Sequence, residues 1–382
     1  MAQQFEHLFS PLKIGSITVR NRIVSAAHFT RYAQGPEFLP GDRVAAYWAS
    51  KARGGAGLIV TEGYSVHPTG GYDPFHRPEA VERYSRAAGA VHRHGAKLVV
   101  QLFHPGAEAG PQPFPPSITP WAPSAVPCPR AWAVPHEMTQ DEIETIIRCF
   151  AHAARVARQA GADGVELHAG HGYLLTEFMS PYFNRRHDMY GGSLENRLRF
   201  PRQVIDAVRQ EVGKDFVVGM KVNGSEHTEG GYTLDDVLVM LPQLTNGGKL
   251  DYISVTAGVY ISGWSIAEPN YLPPGTFVPS AAAIKKVVDI PVFARGRVND
   301  PVQAEEIIAR GQADMVTMTR AQIADPDLAR KAQEGRVGEI RKCIACLKCR
   351  ENVARESPLV CTVNPAAGRE SDFEIRPAKK VK

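Results

Sequence analysis

No run of about 18 apolar residues occurs in this chain, so nothing in it reads as a membrane-spanning helix. Its opening, MAQQFEHLF, lacks the basic-then-apolar pattern of a secretory signal. Charge is close to balance, with 44 Lys and Arg against 40 Asp and Glu, and no basic tract precedes the last few residues; no nucleic-acid partner is expected. No G-x-G-x-x-G stands in the strand–turn–helix context of a dinucleotide-binding sheet, which removes the main sign of a doubly wound fold. Cysteine is scarce, six in 382 residues. With the missing signal this points to a reducing, cytoplasmic setting and to a fold held by its core, not by disulfides. What is left, 43% hydrophobic and 22% charged residues, suits a soluble globular protein. The length allows one large domain with an appendage, or two domains, and a homo-oligomer is compatible with it.

Because cysteine is scarce, its placement is informative. Cys343, Cys346, Cys349 and Cys361 form C-x2-C-x2-C-x11-C in RKCIACLKCRENVARESPLVCTVNP. Three close thiolates and one distant can surround a 4Fe–4S cubane. Two C-x2-C steps also suit a tetrahedral zinc site of four thiolates. Cys128 and Cys149 have no evident role, and Cys149 falls on a helical stretch as a core residue.

Eight short apolar, β-branched runs predict strands: Ile23–Ala27, Gly57–Gly63, Lys97–His104, Gly164–Gly170, Val217–Gly224, Tyr252–Gly258, Pro291–Val298 and Met315–Arg320. Helical patterns fill the gaps. The clearest is Met138–Gly161, with Thr139 and Glu142 as a capping box and Gly161 as the stop. Eight strand–helix units over about 300 residues predict an α/β fold, a (β/α)8 barrel over residues 1–340, followed by a cluster-binding segment over 341–382. LKIGSITVRNR, before the first strand, reads as a hairpin closing the barrel's bottom. Pro105–Pro135 carries ten prolines after the third strand and is expected over the C-terminal face, as part of the active-site wall.

Catalytic groups of such barrels sit where the strands end. Here those ends carry Gln101 and His104, then His168, His171 and Tyr173, then Lys221 and Asn223, and finally Gly296-Arg297 and Thr319-Arg320. Two histidines at i and i+3 followed by Tyr exceed what a structural strand-end residue requires. Gly and Arg at the last two ends suit a bound phosphate.

HAGHGYLLTEFMSPYFNRRHDMYGGSLENRLRF resembles the signature stretch of the old yellow enzyme family, as do NRIVSAA, GLIVTEG, VVQLFHPG, ARGRV and MTRAQIADP. With the cysteine segment the resemblance narrows to the group of 2,4-dienoyl-CoA reductase and trimethylamine dehydrogenase. It implies non-covalent FMN in the barrel mouth. Ala26, Ala27 and Gly63 would offer backbone contacts to the ring, and Gln101 a hydrogen bond to its pyrimidine edge. Lys221 would supply a cation where family members usually place Arg, and Gly296, Arg297, Thr319 and Arg320 would hold the phosphate. The family commonly has Gly at the place of Thr319. His168 and His171 match the pair that binds the substrate's oxygen, and Tyr173 matches the proton donor. FAD and NAD(P)H are implied on a further domain or partner, and an electron donor or acceptor domain or protein is expected to complete the circuit.

Departures from trimethylamine dehydrogenase shape the functional expectation. Phe29 stands at the place of its flavin-linking cysteine, Gly63 and Val353 at two positions of its aromatic cage, and His168 at its catalytic tyrosine. The first expectation is therefore an NAD(P)H-linked ene-reductase of α,β-unsaturated carbonyl compounds, electrons arriving through the cluster. The alternative is a dehydrogenase or N-demethylase of a methylated amine, with Tyr64, Tyr72, Tyr260 and Trp264 as a partial aromatic wall. A non-enzymatic flavin-bearing module fits less well, because the His168, His171 and Tyr173 set is intact.

Overall fold

The computed structural model describes residues 5–33, 38–109, 119–128 and 133–373. Eight parallel strands close into a barrel: β1 (Ile23–Ser25), β2 (Leu58–Ser65), β3 (Lys97–Phe103), β4 (Gly164–Ala169), β5 (Val217–Asn223), β6 (Tyr252–Thr256), β7 (Val292–Ala294) and β8 (Met315–Thr317). Neighbours in sequence are neighbours in space, and β8 returns to β1 through Val316 opposite Ile23. Each of the eight predicted runs coincides with one of these strands; seven are longer than their strand, while β2 runs two residues past the predicted end at Gly63.

The side-chain period of two sorts each strand into a lumen face and a helix face. Val24, Leu58, Val60, Val99, Val217, Tyr252, Phe293 and Met315 fill the lower lumen, with Tyr252 stacked on Phe293 at 4.4 Å. Gly219 opens room for this stack, since a Cβ there would meet the Tyr252 ring at 2.0 Å. Ile59, Leu98, Val165, Val218, Ile253 and Val292 point outward into the main core beneath the helices. The predicted hairpin is present: Leu12–Ile14 pairs antiparallel with Ile17–Val19, and Ile14 and Val19 join the lumen cluster as its floor.

Of the helices, α1 (Gln140–Gln159) follows the predicted chemistry most closely. Thr139 Oγ1 accepts from Glu142 N at 3.3 Å, and Glu142 Oε2 accepts from Thr139 N at 2.7 Å. A second, α2 (Pro301–Ala309), starts with Pro after an Asp300 cap. No helix among the described residues is long and apolar enough to cross a membrane.

The segment after the barrel folds back over its mouth. The Tyr32 hydroxyl donates to Leu359 O at 2.6 Å, Leu359 N to Thr30 O at 2.8 Å, and Asn364 Nδ2 to Ile323 O at 2.9 Å. Residues 110–118 and 129–132 of the proline-rich connection lie outside the described residues. Of the rest, Pro105 and Glu108 face the mouth, and Trp121–Ala122 pairs with His136–Glu137.

Candidate active site

A cavity of about 650 Å³ opens at the C-terminal ends of the strands. The strand ends bring together the twelve residues picked out for cofactor and catalysis: Ala26, Ala27, Gly63, Gln101, His168, His171, Tyr173, Lys221, Gly296, Arg297, Thr319 and Arg320 all line it. His104 does not. It is buried, with Nδ1 accepting from Gly106 N (3.1 Å) and Nε2 bonded to Thr69 Oγ1 (2.9 Å), and so belongs to the scaffold of the turn after β3.

The lumen face changes character as the strands rise. Above the apolar layer, β4 contributes Glu166, fully buried and two residues before His168 on the same face. Its carboxylate accepts from Gln101 Nε2 (2.6 Å) and Tyr252 OH (3.1 Å) and pairs with Lys221 Nζ at 3.2 Å. Glu166 therefore holds both the amide and the cation at the cavity floor. Sequence reasoning missed it, although the alternation of GVELHA would have put it inward. On β2 the ladder shifts register between Val60 and Gly63, and this irregularity turns Glu62 and Gly63 together toward the cavity.

The two histidines are held as neutral donors. Gly170 N donates to His168 Nδ1 (3.2 Å), so the ring proton sits on Nε2, which no described residue accepts. His171, at a left-handed φ of 64°, donates its backbone N–H to Asn223 Oδ1 at 3.0 Å and bonds Thr256 Oγ1 through Nε2 at 2.7 Å, leaving Nδ1 as the ring nitrogen without a described partner. Burial, then the Lys221 charge, lowers His168 well below the usual imidazole range; burial, then His168 and Arg295, does the same for His171. Burial also takes His28 down to about 4 and His104 to about 3.

A pH dependence follows. Unfolded, these four rings titrate near 6.5; folded, they resist protonation, so below that pH the unfolded chain binds more protons. Stability present above pH 6.5 is expected to fall as pH drops from 6.5 toward the folded values near 4 and 3, by up to about 1.4 kcal/mol per unit for each ring. Denaturation midpoints measured from neutral pH down to about pH 4 check this. A flat profile would contradict the burial of neutral imidazoles.

Tyr173 caps the short helix Leu174–Met179 and is buried, with its ring 4.8 Å from His168 and 4.9 Å from Phe103. Its hydroxyl bonds that of Tyr260 at 2.8 Å. Phe29, Phe38, Phe103, Tyr64, Tyr72 and Tyr260 complete an aromatic wall, with Val353 among the lining. Trp264 is not part of it: 44% exposed, it packs outside on His227 and Phe277.

At the β7–β8 side, Gly296 has φ 136° and its Cβ would meet Phe277 N at 2.9 Å, so the position is confined to glycine. Arg297 Nη1 donates to Pro269 O at 2.9 Å. Arg320 and Arg295 share the buried Glu268 carboxylate, at 2.6 and 2.7 Å. Arg295 and Glu268 were not anticipated, though ARGRV displays both of its arginines. Thr319 Oγ1 accepts from Ala26 N at 2.9 Å, engaging one of the amides expected to face a ligand.

All four clustered cysteines line a second, smaller cavity with Arg320 and Ile323. Arg320, Ile323 and Cys349 line both cavities and form the partition between them. No group of three or more His, Cys, Asp or Glu among the described residues is drawn close enough for one metal ion. Cys128 and Cys149 lie apart from the cluster; Cys128 is buried and donates to Glu108 Oε1 at 2.7 Å, and Cys149 is buried on α1.

Comparison with known proteins agrees with this architecture. The NADH oxidase of Thermoanaerobacter brockii is 41% identical over 386 residues, covering 98% of this chain and 59% of the relative. The N,N-dimethylglycine/sarcosine dehydrogenase of Chromohalobacter salexigens is 35% identical over 376 residues, covering 96% of this chain and 54% of the relative. The solved complex of 2-naphthoyl-CoA reductase with 2-naphthoyl-CoA superposes with a TM-score of 0.92 at 32% identity, covering 99% of this chain and 60% of that one. The chain thus spans between half and three fifths of the length of these relatives. Residues 7–339 match the NADH:flavin oxidoreductase / NADH oxidase family, and the chain belongs to that family.

Proposed function

We propose that this chain is an FMN-dependent, NAD(P)H-linked oxidoreductase that reduces the C=C bond of α,β-unsaturated carbonyl compounds. The observation that carries the reading is the convergence of His168, His171 and Tyr173, all neutral donors in mutual ring contact, on one cavity. When bound, FMN supplies hydride to the β-carbon. The protein supplies the rest. As hydride arrives, charge develops on the carbonyl oxygen, where His168 Nε2–H and the free side of His171 donate hydrogen bonds. Tyr173 then gives its hydroxyl proton to the α-carbon, so that one hydride and one proton saturate the bond.

The cavity's chemistry fits the cofactor. Gln101 has given its Nε2 to Glu166, which leaves Oε1 to accept from a ring N–H. Lys221 offers a cation at the floor, which favours an anionic reduced ring. Gly296, Arg297 and Arg320 offer a close backbone approach and guanidinium donors for a phosphate, beside Thr319. Four thiols around one small cavity are a ligand set that would suit a 4Fe–4S cluster, which would carry single electrons there. FAD and NAD(P)H would be supplied by a further domain or partner. Replacing Cys346 by Ala is expected to abolish the iron content while FMN binding stays within about twofold, because the mutated thiol does not line the flavin cavity. Iron analysis and flavin titration of the same preparation check this.

A second reading is oxidation of a methylated amine. The aromatic wall of Phe29, Phe38, Phe103, Tyr72 and Tyr260 favours it, since such rings stabilise ammonium groups, and one relative is named a dimethylglycine/sarcosine dehydrogenase. Incubating FMN-loaded protein with dithionite and 2-cyclohexen-1-one separates the two. Cyclohexanone formation supports the reduction. No product, together with anaerobic bleaching of the oxidised flavin by N,N-dimethylglycine, would transfer the assignment to amine oxidation.

A further inference from the structure

We propose that Arg31 anchors a carboxylate on the substrate, so that the preferred substrates are unsaturated carbonyl compounds that also carry a carboxylate. This rests on the reductive reading above for the unsaturation, and on Arg31 alone for the charge.

Among the described residues, six cationic side chains line the cavity. Five already donate to protein acceptors, and three of these, Lys221, Arg297 and Arg320, are assigned to the cofactor above. Lys221 pairs with Glu166 at 3.2 Å, and Arg295 and Arg320 with Glu268 at 2.7 and 2.6 Å. Arg297 donates to Pro269 O and Arg350 to Gly263 O, each at 2.9 Å. Arg31 makes no hydrogen bond or ion pair with any described residue, and its Nε is buried without a partner. Removing a guanidinium nitrogen from water without a partner costs free energy, and a ligand that supplies the missing acceptor recovers it. The backbone adds to this cost, since Arg31 sits at a left-handed φ of 58°.

The neighbouring carboxyl does not answer the charge. Glu62 stands near enough to act on Arg31 electrostatically, but forms no ion pair with it. Its oxygens are taken by Thr30 N at 2.9 Å, Thr30 Oγ1 at 3.1 Å and the Tyr64 hydroxyl at 3.3 Å. Burial raises the Glu62 pKa, against the hydrogen bonds from Thr30 and Tyr64 and the Arg31 charge, which lower it. Arg31 lines the same cavity as Tyr72, Tyr173 and Tyr260. It acts electrostatically on Tyr72, as does Tyr260, whose hydroxyl is bonded to that of Tyr173. A carboxylate held there would extend the substrate along the aromatic wall, while its carbonyl oxygen meets His168 and His171. The planar fork of Arg matches two carboxylate oxygens, a fit that a neutral carbonyl group does not provide.

The test reads binding to the oxidised FMN-loaded protein, so it does not depend on turnover. Two saturated ligands of similar shape are compared by calorimetry: 4-oxopentanoate, which has the carboxylate, and hexane-2,5-dione, which replaces it with an acetyl group. The wild type is expected to bind 4-oxopentanoate about ten- to a hundredfold more tightly. Arg31→Leu should bring the ratio of affinities to about one, and Arg31→Lys should keep part of it. Arg31→Gln replaces the Leu variant if that protein fails to retain FMN. No preference in the wild type, or a preference that survives in the neutral variants, would overturn the proposal. If the preference is found and lost as expected but (E)-4-oxopent-2-enoate, the unsaturated counterpart of the tighter ligand, is not reduced by the dithionite-reduced protein, the carboxylate anchor stands and the reductive reading fails.

Discussion

Replacing Tyr173 by Phe is expected to slow reoxidation of the reduced flavin by an enone about a hundred- to ten-thousandfold, while reduction of the flavin by dithionite keeps its wild-type rate. The side chain is buried between Phe103 and His168, and a phenylalanine ring would preserve both contacts. What is lost is one oxygen, and with it the hydrogen bond to Tyr260. The enolate left by hydride addition needs a proton at its α-carbon, and in the proposed mechanism Tyr173 supplies it, because His168 and His171 are assigned to the substrate oxygen and resist protonation. Rapid mixing in two stages, reduction first and enone second, separates the two steps. Equal loss in both would mean that the substitution disturbs the cavity as a whole and would remove Tyr173 from the proton-transfer role.

Glu166→Ala is expected to destabilise the protein by about 3–5 kcal/mol, the cost of leaving the partner of a buried ion pair uncompensated. Lys221 is only 6% exposed at its side chain and pairs with Glu166 across 3.2 Å, while Gln101 and Tyr252 lose their acceptor at the same time. The same change frees Gln101 Nε2 and Lys221 to reorient, so FMN affinity should fall as well. Glu166→Gln keeps acceptor capacity but not the charge, and should fall between the wild type and Ala. Denaturant titration of the apoprotein and FMN titration of each variant provide the two readings. A loss below about 1 kcal/mol in the Ala variant would mean that Lys221 finds another partner or loses its proton.

Much of this architecture is legible in the amino-acid sequence. The eight strands announce themselves as short β-branched runs, and their ends carry the polar residues that a parallel barrel gathers at one mouth. The capping box at Thr139 and the hairpin floor at Ile14 and Val19 depend on local chemistry, and local chemistry is what a sequence displays best. The misses share a different origin. Glu166, Glu268 and Arg295 act through partners far away in the chain, as in the Glu268 bridge to Arg320, 52 residues on. Such pairings are invisible until the fold brings the groups together. His104 stands at a strand end like Gln101, yet the turn after β3 draws it into the scaffold. Trp264 has the composition of a cage residue, but the chain after β6 carries it outside the cavity. Thr319 illustrates a subtler limit: its identity is plain in the sequence, whereas its bond to Ala26 N depends on β1 and β8 being adjacent.

In the proposed function, neutral donors around one cavity serve reduction of a conjugated double bond. The most direct measurement is anaerobic rapid mixing of FMN-loaded, dithionite-reduced protein with 2-cyclohexen-1-one, followed by the flavin absorbance. Fast return of the oxidised band, slowed by Tyr173→Phe and by His168→Ala, is the predicted result. A reduced flavin that persists in the presence of the enone, with the variants indistinguishable from the wild type, would contradict it.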